Sequence, residues 1–176
     1  MDTSDKRERI LDATLDLVAQ SGLTGATYRT IAVESGVPLG SMTYYFSSRE
    51  ELLFAAFQRF THISFARMKE AAAPNDRNLV DSLTQLILTE TTSERLRDRI
   101  LLAELYVLSY REQRYAELTR EWMKRAHEVI AEANPLVSPR ALDAAQEGLT
   151  IQRHFMPEEV TEELIFATLN KIATVP

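Results

Sequence analysis

Residues 27–53, with the sequence TYRTIAVESGVPLGSMTYYFSSREELL, contain the start and stop signals of two successive short helices. Thr27 is a favourable N-cap, and Gly36 supplies the positive φ with which many helices end. Pro38 suits the first position of a helix, where its missing N–H costs nothing. The two helices predicted from these signals are Tyr28–Ser35 and Pro38–Tyr45.

Further helices are predicted on both sides of this pair. Ser48 and Glu51 form the S-x-x-E pattern of a capping box ahead of two leucines. Upstream, apolar residues recur at helical spacing from Ile10 to Val18, in a segment that stops at Ser21-Gly22. Two short helices joined by a glycine turn and covered by a third are typical of a helix-turn-helix, whose second helix enters the major groove of DNA.

The predicted DNA contacts lie on the two short helices and at the start of the next one. Arg29 and Arg49 are placed to meet phosphates, and the alternative is that they are solvated surface residues. Helix N-termini at Thr27, Pro38 and Ser48 add backbone N–H groups that bind phosphate. The predicted set is Thr27, Tyr28, Arg29, Pro38, Leu39, Gly40, Ser41, Thr43, Tyr44, Tyr45 and Arg49.

The second short helix, PLGSMTYYF over residues 38–46, contains no charged side chain. The bidentate contact of arginine or lysine with guanine is therefore not available from it. The hydroxyls of Ser41, Thr43 and Tyr44 can bond to base edges or phosphates. Leu39 and the Thr43 methyl group can contact thymine methyls, and sequence-dependent DNA bending can supply further specificity.

The charge of the chain argues against a nucleic-acid partner. The formal net charge is −6, and five basic and seven acidic residues in positions 1–50 give that segment a net charge of −2. Binding to DNA must then depend on where the cations are placed. Lys6, Arg7 and Arg9 cluster at the entrance to the first helix, where they could also meet phosphates.

Over residues 5–55 the chain resembles the TetR family of bacterial transcriptional regulators. The residues that carry the resemblance are Gly22, Thr27, Ile31, Ala32, Gly36, Val37, Gly40, Tyr45 and Phe46, followed by a charged residue and Leu52-Leu53. Tyr45 matches the family tyrosine that meets the phosphate backbone, although it could instead pack on the first helix. The family often has a lysine near Leu39 and a tyrosine at Thr43, and this chain departs from both.

A narrower resemblance extends beyond the helix-turn-helix. The run GVPLGSMTYYF, together with WMKRA and ALDAAQEGLT further along the chain, resembles a TetR subgroup that includes an enterobacterial regulator of the curli biofilm activator.

The whole chain is predicted to be all-α, with about nine helices. Residues 1–47 form the predicted DNA-binding domain, and residues 48–176 form a helical domain for ligand binding and dimerisation. Because the chain has no cysteine, disulfides and thiol chemistry are excluded. The further helices predicted from apolar spacing and from proline, asparagine and serine punctuation are Arg49–Ala73, Leu79–Glu90, Glu94–Tyr110, Gln113–Ala133, Pro139–Phe155 and Glu158–Ile172.

The resemblance implies that the central helices enclose a pocket for a small-molecule effector, which shifts the long helix after Ser48 and so changes DNA binding. An aromatic or apolar residue at these positions is otherwise simply core. Glu90 and Glu104 would indicate a cationic or hydrogen-bonding ligand if they were buried without a partner. The predicted pocket residues are Phe57, Phe60, Ser64, Ile87, Glu90, Tyr106, Trp122 and Gln152.

The resemblance also implies a homodimer on a double-stranded, palindromic operator. Small residues on the last two helices would allow close packing between copies, although an alanine-rich face is equally common inside a monomer. The predicted interface consists of Ala141, Ala144, Ala145, Gly148, Gln152, Phe155, Leu164 and Thr168.

Other function classes find little support. His62, His127 and His154 lack metal-ligand spacing, and no catalytic constellation, cofactor motif or phosphate loop occurs. Neither a membrane span nor a signal peptide is expected, so a cytoplasmic location is predicted. The remaining alternatives to a repressor are an activator and a helical partner-binding protein whose helix-turn-helix is purely structural.

Overall fold

The structure, a computed structural model, describes residues 3–72, 78–92, 95–133 and 138–174. Over these ranges the chain forms nine α-helices and no strand, which confirms the predicted all-α fold. The helices are α1 Thr3–Gly25, α2 Tyr28–Ser35, α3 Leu39–Tyr45, α4 Arg49–Ala72, α5 Leu79–Glu90, α6 Leu96–Arg111, α7 Gln113–Ala133, α8 Pro139–Phe155 and α9 Glu162–Thr174.

Four helices, α2, α5, α7 and α8, begin and end at the predicted residues. Their boundaries are set by local chemistry. The Ser138 hydroxyl, for example, accepts from the Ala141 N–H at 3.4 Å and starts α8 at Pro139. Asn78 starts α5 in the same way, with its side-chain oxygen 3.0 Å from the Asp81 nitrogen.

The predicted start of α9 at Glu158 is wrong. Residues 157–159 form a turn instead, in which the N–H groups of Glu159 and Val160 both donate to the Met156 carbonyl. The Thr161 hydroxyl then accepts from the Leu164 N–H at 3.3 Å, so the helix begins at Glu162.

Smaller differences between the predicted and observed boundaries occur at the ends of other helices. Pro38 precedes α3 as its N-cap, because its ψ of 136° is extended rather than helical. Helix α1 is interrupted at Gly22, as predicted, by a φ of 68°, but helical turns continue to Gly25. Helix α6 ends at Arg111 instead of Tyr110. The predicted end of α4 at Ala73 and the predicted start of α6 at Glu94 lie outside the described residues.

The chain divides into two compact units. The first unit consists of Met1–Ile63 and Arg97–Thr119, and the second of Ser64–Leu96 and Arg120–Pro176. The units do not coincide with the predicted functional division after residue 47, which stays a prediction about where each activity resides.

Each unit has its own apolar core. In the first, Tyr115 is fully buried and meets Phe54 and Phe57 in edge-to-face contacts, with ring centroids 5.4 and 5.8 Å apart. In the second, buried aliphatic residues come from α5, α7, α8, α9 and the turn before α9; they are Val80, Leu83, Ile87, Ile130, Leu142, Leu149, Val160, Ile165 and Leu169. None of the described helices is long and apolar enough to cross a membrane.

Candidate functional site

Helix α2 is held by caps at both ends. The Thr27 hydroxyl accepts from the Thr30 N–H at 3.2 Å, while the Thr27 N–H donates to the Thr30 hydroxyl at 2.9 Å. Gly36 ends the helix with a φ of 63°. The opposite face of α2 is buried through Ile31, Ala32 and Ser35, so Arg29 and Val33 point to solvent.

Helix α3 is anchored on one side and open on the other. Met42 and the following Phe46 are buried in the core of the first unit. The opposite face consists of exposed residues at positions 39, 40, 43 and 44, which recur at helical spacing. Leu39 is 51% exposed and Tyr44 is 78% exposed, so large apolar surface faces solvent here.

The other predicted contacts of α2 and α3 are less accessible. Ser41 is half-buried at the edge of the open face. The Tyr28 hydroxyl donates to the Phe46 carbonyl at 3.2 Å, and burial, aided by Glu51 and Glu50, raises the pKa of Tyr28. Tyr45 is half-buried against the core, which is the packing alternative to a phosphate contact.

Two of the cations predicted near DNA hold the first unit together. Arg49 donates from Nε to the Ala26 carbonyl at 2.7 Å and from Nη2 to the Leu23 carbonyl. Arg9 donates to the carbonyl of Ser35, next to the turn at Gly36. A phosphate contact of Arg49 therefore stays a prediction, whereas its role in joining α4 to the end of α1 is visible.

Three acids of α1, Glu8, Asp12 and Asp16, are paired inside the first unit. Arg59 of α4 forms ion pairs with Glu8 and Asp12, the latter at 2.8 Å. Arg97 of α6 pairs with Asp16 at 2.5 Å. Three of the seven acids in residues 1–50 are thus matched by arginines that lie outside that segment. The net charge of the segment exaggerates the negative charge that DNA would meet.

The capping box predicted at the start of α4 also involves Ser47. The Glu51 N–H donates to the Ser48 hydroxyl at 3.1 Å, as expected, but the Glu51 carboxylate accepts from the N–H of Ser47, at 2.7 Å, and from the Ser47 hydroxyl. These bonds, the hydroxyl bond foremost, lower the pKa of Glu51. The carboxylate thereby fixes the chain where it passes from α3 to α4.

We expect Glu51→Gln to remove part of the acid sensitivity of folding. Because the folded-state pKa of Glu51 is depressed, its stabilising contribution is present above the unfolded-state value of about 4.3 and is lost as pH falls through the folded-state value. Urea unfolding of both proteins at pH 7, 5, 4 and 3 should show a difference in midpoint that shrinks on acidification. Glu50→Gln, one residue away, is the control, and a difference independent of pH would contradict this role.

The predicted effector residues divide between the units. Phe57 and Phe60 are buried in the core of the first unit, where Tyr106 is half-buried. The other five belong to the second unit: Ser64 and Trp122 are half-buried, Ile87 is core, Glu90 pairs with Arg67 at 3.3 Å, and Gln152 is exposed.

Two details of the second unit bear on a ligand. Glu90 is not an unpaired buried carboxylate, so it gives no indication of a cationic ligand. The Nε1–H of Trp122 is buried and makes no hydrogen bond with the described residues. An open recess of about 540 Å³ lies elsewhere, lined by none of the predicted residues but by Asp81, Thr84, Gln85, Glu162, Glu163 and Phe166.

The predicted dimer residues lie on the two last helices of the second unit. Ala141, Ala144, Gln152, Phe155 and Leu164 are exposed, whereas Ala145, Gly148 and Thr168 are half-buried. Ile151, Met156 and Phe166, which the predicted set does not include, are also exposed and apolar. Ile151 lies one helical turn before Phe155, and this spacing was the one signal in the sequence that pointed to it.

The histidines behave as isolated side chains rather than as a site. His127 Nε2 lies 2.9 Å from Asp143 Oδ2, and burial raises the pKa of Asp143 although this hydrogen bond opposes the shift. His154 stacks edge-to-face on Phe155, and His62 is exposed. No group of three metal-ligating side chains occurs among the described residues.

Residues 10–56 match the family model for bacterial regulatory proteins of the tetR family. The chain is 35% identical over 97 residues to the transcriptional repressor KstR of Rhodococcus jostii (strain RHA1), covering 55% of this chain and 44% of KstR. It spans about half the length of the first curated relatives that it matches.

Solved structures match over nearly the whole chain. SCO7518 of Streptomyces coelicolor A3(2), a candidate transcriptional regulator, is 38% identical, with a TM-score of 0.85 over 97% of this chain and 99% of that one. The multidrug binding protein EbrR in complex with ethidium is 27% identical, with a TM-score of 0.77 over 97% and 99% of the two chains. Further EbrR structures contain proflavin and malachite green.

Proposed function

Because the chain belongs to the TetR family of bacterial regulatory proteins, we propose that it is a ligand-responsive transcriptional repressor that binds a palindromic operator as a homodimer. The open face of α3 carries this proposal. Its exposed residues, from Leu39 to Tyr44, are supported by a buried face and lie on the second helix of a helix-turn-helix.

The proposed contacts with the phosphate backbone are few. Arg29 is exposed in the first turn of α2, the helix that crosses the backbone in this motif. Arg7 lies over the Phe46 ring, with its guanidinium carbon 5.4 Å from the ring centroid, and remains 47% exposed. With so few cations per protomer, the affinity should depend less steeply on salt than that of a strongly basic DNA-binding protein.

The proposed dimer uses α8 and α9. Phe155 is 75% exposed, and Leu164 and Ile151 also present apolar surface. Exposed Ala141 and Ala144 would allow a helix of a second copy to approach closely. A two-fold contact of this patch with itself would bury the apolar side chains and set the spacing of two recognition helices at about 34–36 Å, one turn of DNA.

The proposed effector is a small molecule held by residues of the helical core. EbrR, a similar protein, is a multidrug binding protein that has been crystallised with ethidium. In this chain the unsatisfied Nε1–H of Trp122 would favour a ligand with a hydrogen-bond acceptor. A ligand that shifts α4 and prefers the DNA-free state would weaken operator binding by about 5- to 150-fold.

The protein is proposed to repress transcription rather than to activate it. The likeness to the repressor KstR supports this direction. A cytoplasmic location, the division of activities after residue 47 and the subgroup likeness remain predictions within this proposal. Activation would use the same DNA contacts, and a reporter gene behind the operator distinguishes the two by the direction of its response to deletion of the regulator.

The first test is DNA binding by the full chain. Fluorescence polarization with duplexes from beside the protein's own gene should detect binding that weakens as salt rises. We expect Arg29→Ala to raise the Kd about tenfold and to reduce the salt slope by about two for a dimer, because one phosphate contact per protomer is lost. Far-UV circular dichroism should show an unchanged fold.

Arg120→Ala is the matched control, since it removes an exposed arginine from α7 in the second unit. It should leave both Kd and slope unchanged. If no duplex binds in a salt-sensitive manner at low ionic strength without added ligand, the regulator proposal is overturned and the alternative of a helical partner-binding protein with a structural helix-turn-helix is favoured.

A further inference from the structure

The outward face of α3 is apolar and uncharged. Leu39 stands at its first turn with half of its surface in solvent. Beside it, a Cβ atom added at Gly40 would meet no heavy atom within 4 Å, so the backbone itself is open to a close partner. A surface of this kind can contact the floor of the major groove with carbon atoms.

Three of the nearby arginines, Arg9, Arg49 and Arg29, do not take the place of charged groups on this helix. The guanidinium groups of Arg9 and Arg49 are bound to the Ser35, Ala26 and Leu23 carbonyls. Arg29 lies on α2, which crosses the backbone in a helix-turn-helix. Helix α3 therefore has no arginine that could recognise guanine through a bidentate contact.

The same holds for adenine. Its bidentate partners are asparagine and glutamine, and the α3 sequence LGSMTYY contains neither. Thr43 and Tyr44 offer single hydroxyl groups, which bond to several bases and discriminate weakly. Among the features that distinguish bases in the major groove, the C5-methyl group of thymine is the one that an exposed leucine can recognise.

We propose that Leu39 is a specificity-determining residue that contacts thymine methyl groups, and that each operator half-site carries a thymine where it meets the first turn of α3. The methyl group of Thr43, one helical turn further along the same face, contacts a neighbouring thymine or sugar. This inference rests on the proposed function, because it assumes that α3 lies in the major groove of an operator.

The test begins with selection of duplexes from a random-sequence pool by the full-length protein, which needs no knowledge of the operator. Each thymine of the selected half-site is then replaced by deoxyuridine, which lacks only the methyl group. At one symmetric pair of positions we expect the Kd to rise about fourfold for each methyl removed, or about 15-fold for the pair. Replacing guanines by 7-deazaguanine should raise it less than threefold.

Leu39→Ala supplies the decisive comparison. In this variant the deoxyuridine duplex and the unmodified duplex should bind within twofold of each other, because the partner of the methyl group is gone. Val107→Ala truncates a similarly exposed aliphatic residue on α6 and should keep the full deoxyuridine effect.

The possible results separate this inference from the proposed function. Recovery of no sequence from the pool would overturn both. Selected operators whose binding is unaffected by deoxyuridine, depends mainly on guanine N7, or responds equally to deoxyuridine in Leu39→Ala would overturn the role of Leu39 while leaving the DNA-binding function intact.

Discussion

Replacing Phe155 and Leu164 together by glutamate should convert the protein into a monomer and lower its operator affinity by at least about 100-fold. Both side chains are exposed apolar groups on the proposed dimer face. A two-fold contact would bring four carboxylates together in place of four apolar groups, and an uncompensated buried charge is strongly unfavourable. Loss of the second half-site then removes the gain of about 10²–10⁴ that linked binding provides.

Light scattering after size exclusion measures the first effect, because one chain has a mass of 20.0 kDa and the proposed dimer twice that. Fluorescence polarization measures the second. Val107→Glu places the same charge at a similarly exposed apolar position on α6 and should leave mass and affinity unchanged. A double variant that keeps the dimer mass would place the interface elsewhere.

The helix-turn-helix could be predicted from sequence because its determinants are local. The cap at Thr27 involves residues three positions apart, and the stop at Gly36 needs only a residue that tolerates positive φ. The buried positions of α3, such as Met42, follow from helical spacing once the ends are fixed. Signals of this kind depend on residues within one helical turn, so contacts with the rest of the chain do not change them.

The roles of the charged residues could not be predicted in the same way. Arg59 is separated by 47 residues from Asp12, and Arg97 by 81 from Asp16. No local pattern connects such pairs, so a count of charges in the first 50 residues missed their neutralisation. The place of Arg49 at a helix start predicts a phosphate contact, but its hydrogen-bond partners lie 23 and 26 residues away.

The prediction of the pocket residues rests on side-chain chemistry and helical spacing. These two features distinguish a buried helix face from an exposed one, but they do not distinguish a packed core from a cavity. Phe57 and Ile87 illustrate the limit: both were predicted to line a pocket, and each is fully buried within the apolar core of a different unit. Among the eight predicted pocket residues, all of which the structure describes, Trp122 has a buried donor that makes no hydrogen bond. A cavity forms where several packed helices leave space between them. The residue pattern of a single helix does not show where such a space lies.

The paired acids also change what can be expected of an acidic DNA-binding protein. Since Glu8, Asp12 and Asp16 face arginines inside the first unit, the exposed Arg29 meets less opposing charge than the formal net charge implies. The apolar face of α3 adds no charge of either sign. Specificity from carbon contacts and affinity from a small number of phosphate contacts are therefore compatible with a net charge of −6.

Arg49→Ala should destabilise the DNA-free protein by about 2–4 kcal/mol, because two backbone carbonyls in the first unit lose charge-assisted hydrogen bonds of about 1.5–3 kcal/mol each, with water compensating in part. The Ala26 carbonyl belongs to a fully buried residue, so it is the harder of the two to rehydrate. For a chain of 176 residues this corresponds to a fall in Tm of roughly 4–16 °C. Differential scanning calorimetry without DNA measures it directly.

Arg49→Lys separates the two possible roles of this side chain. Lysine keeps the positive charge for a phosphate but lacks the planar fork that joins two carbonyls at once. A structural role predicts that Arg49→Lys recovers less than half of the lost stability, and that operator affinity in both variants falls only as far as the folded fraction does. If Arg49→Ala instead keeps the wild-type Tm and loses affinity with a shallower salt slope, the guanidinium serves DNA and the hydrogen bonds to Ala26 and Leu23 contribute little to the fold.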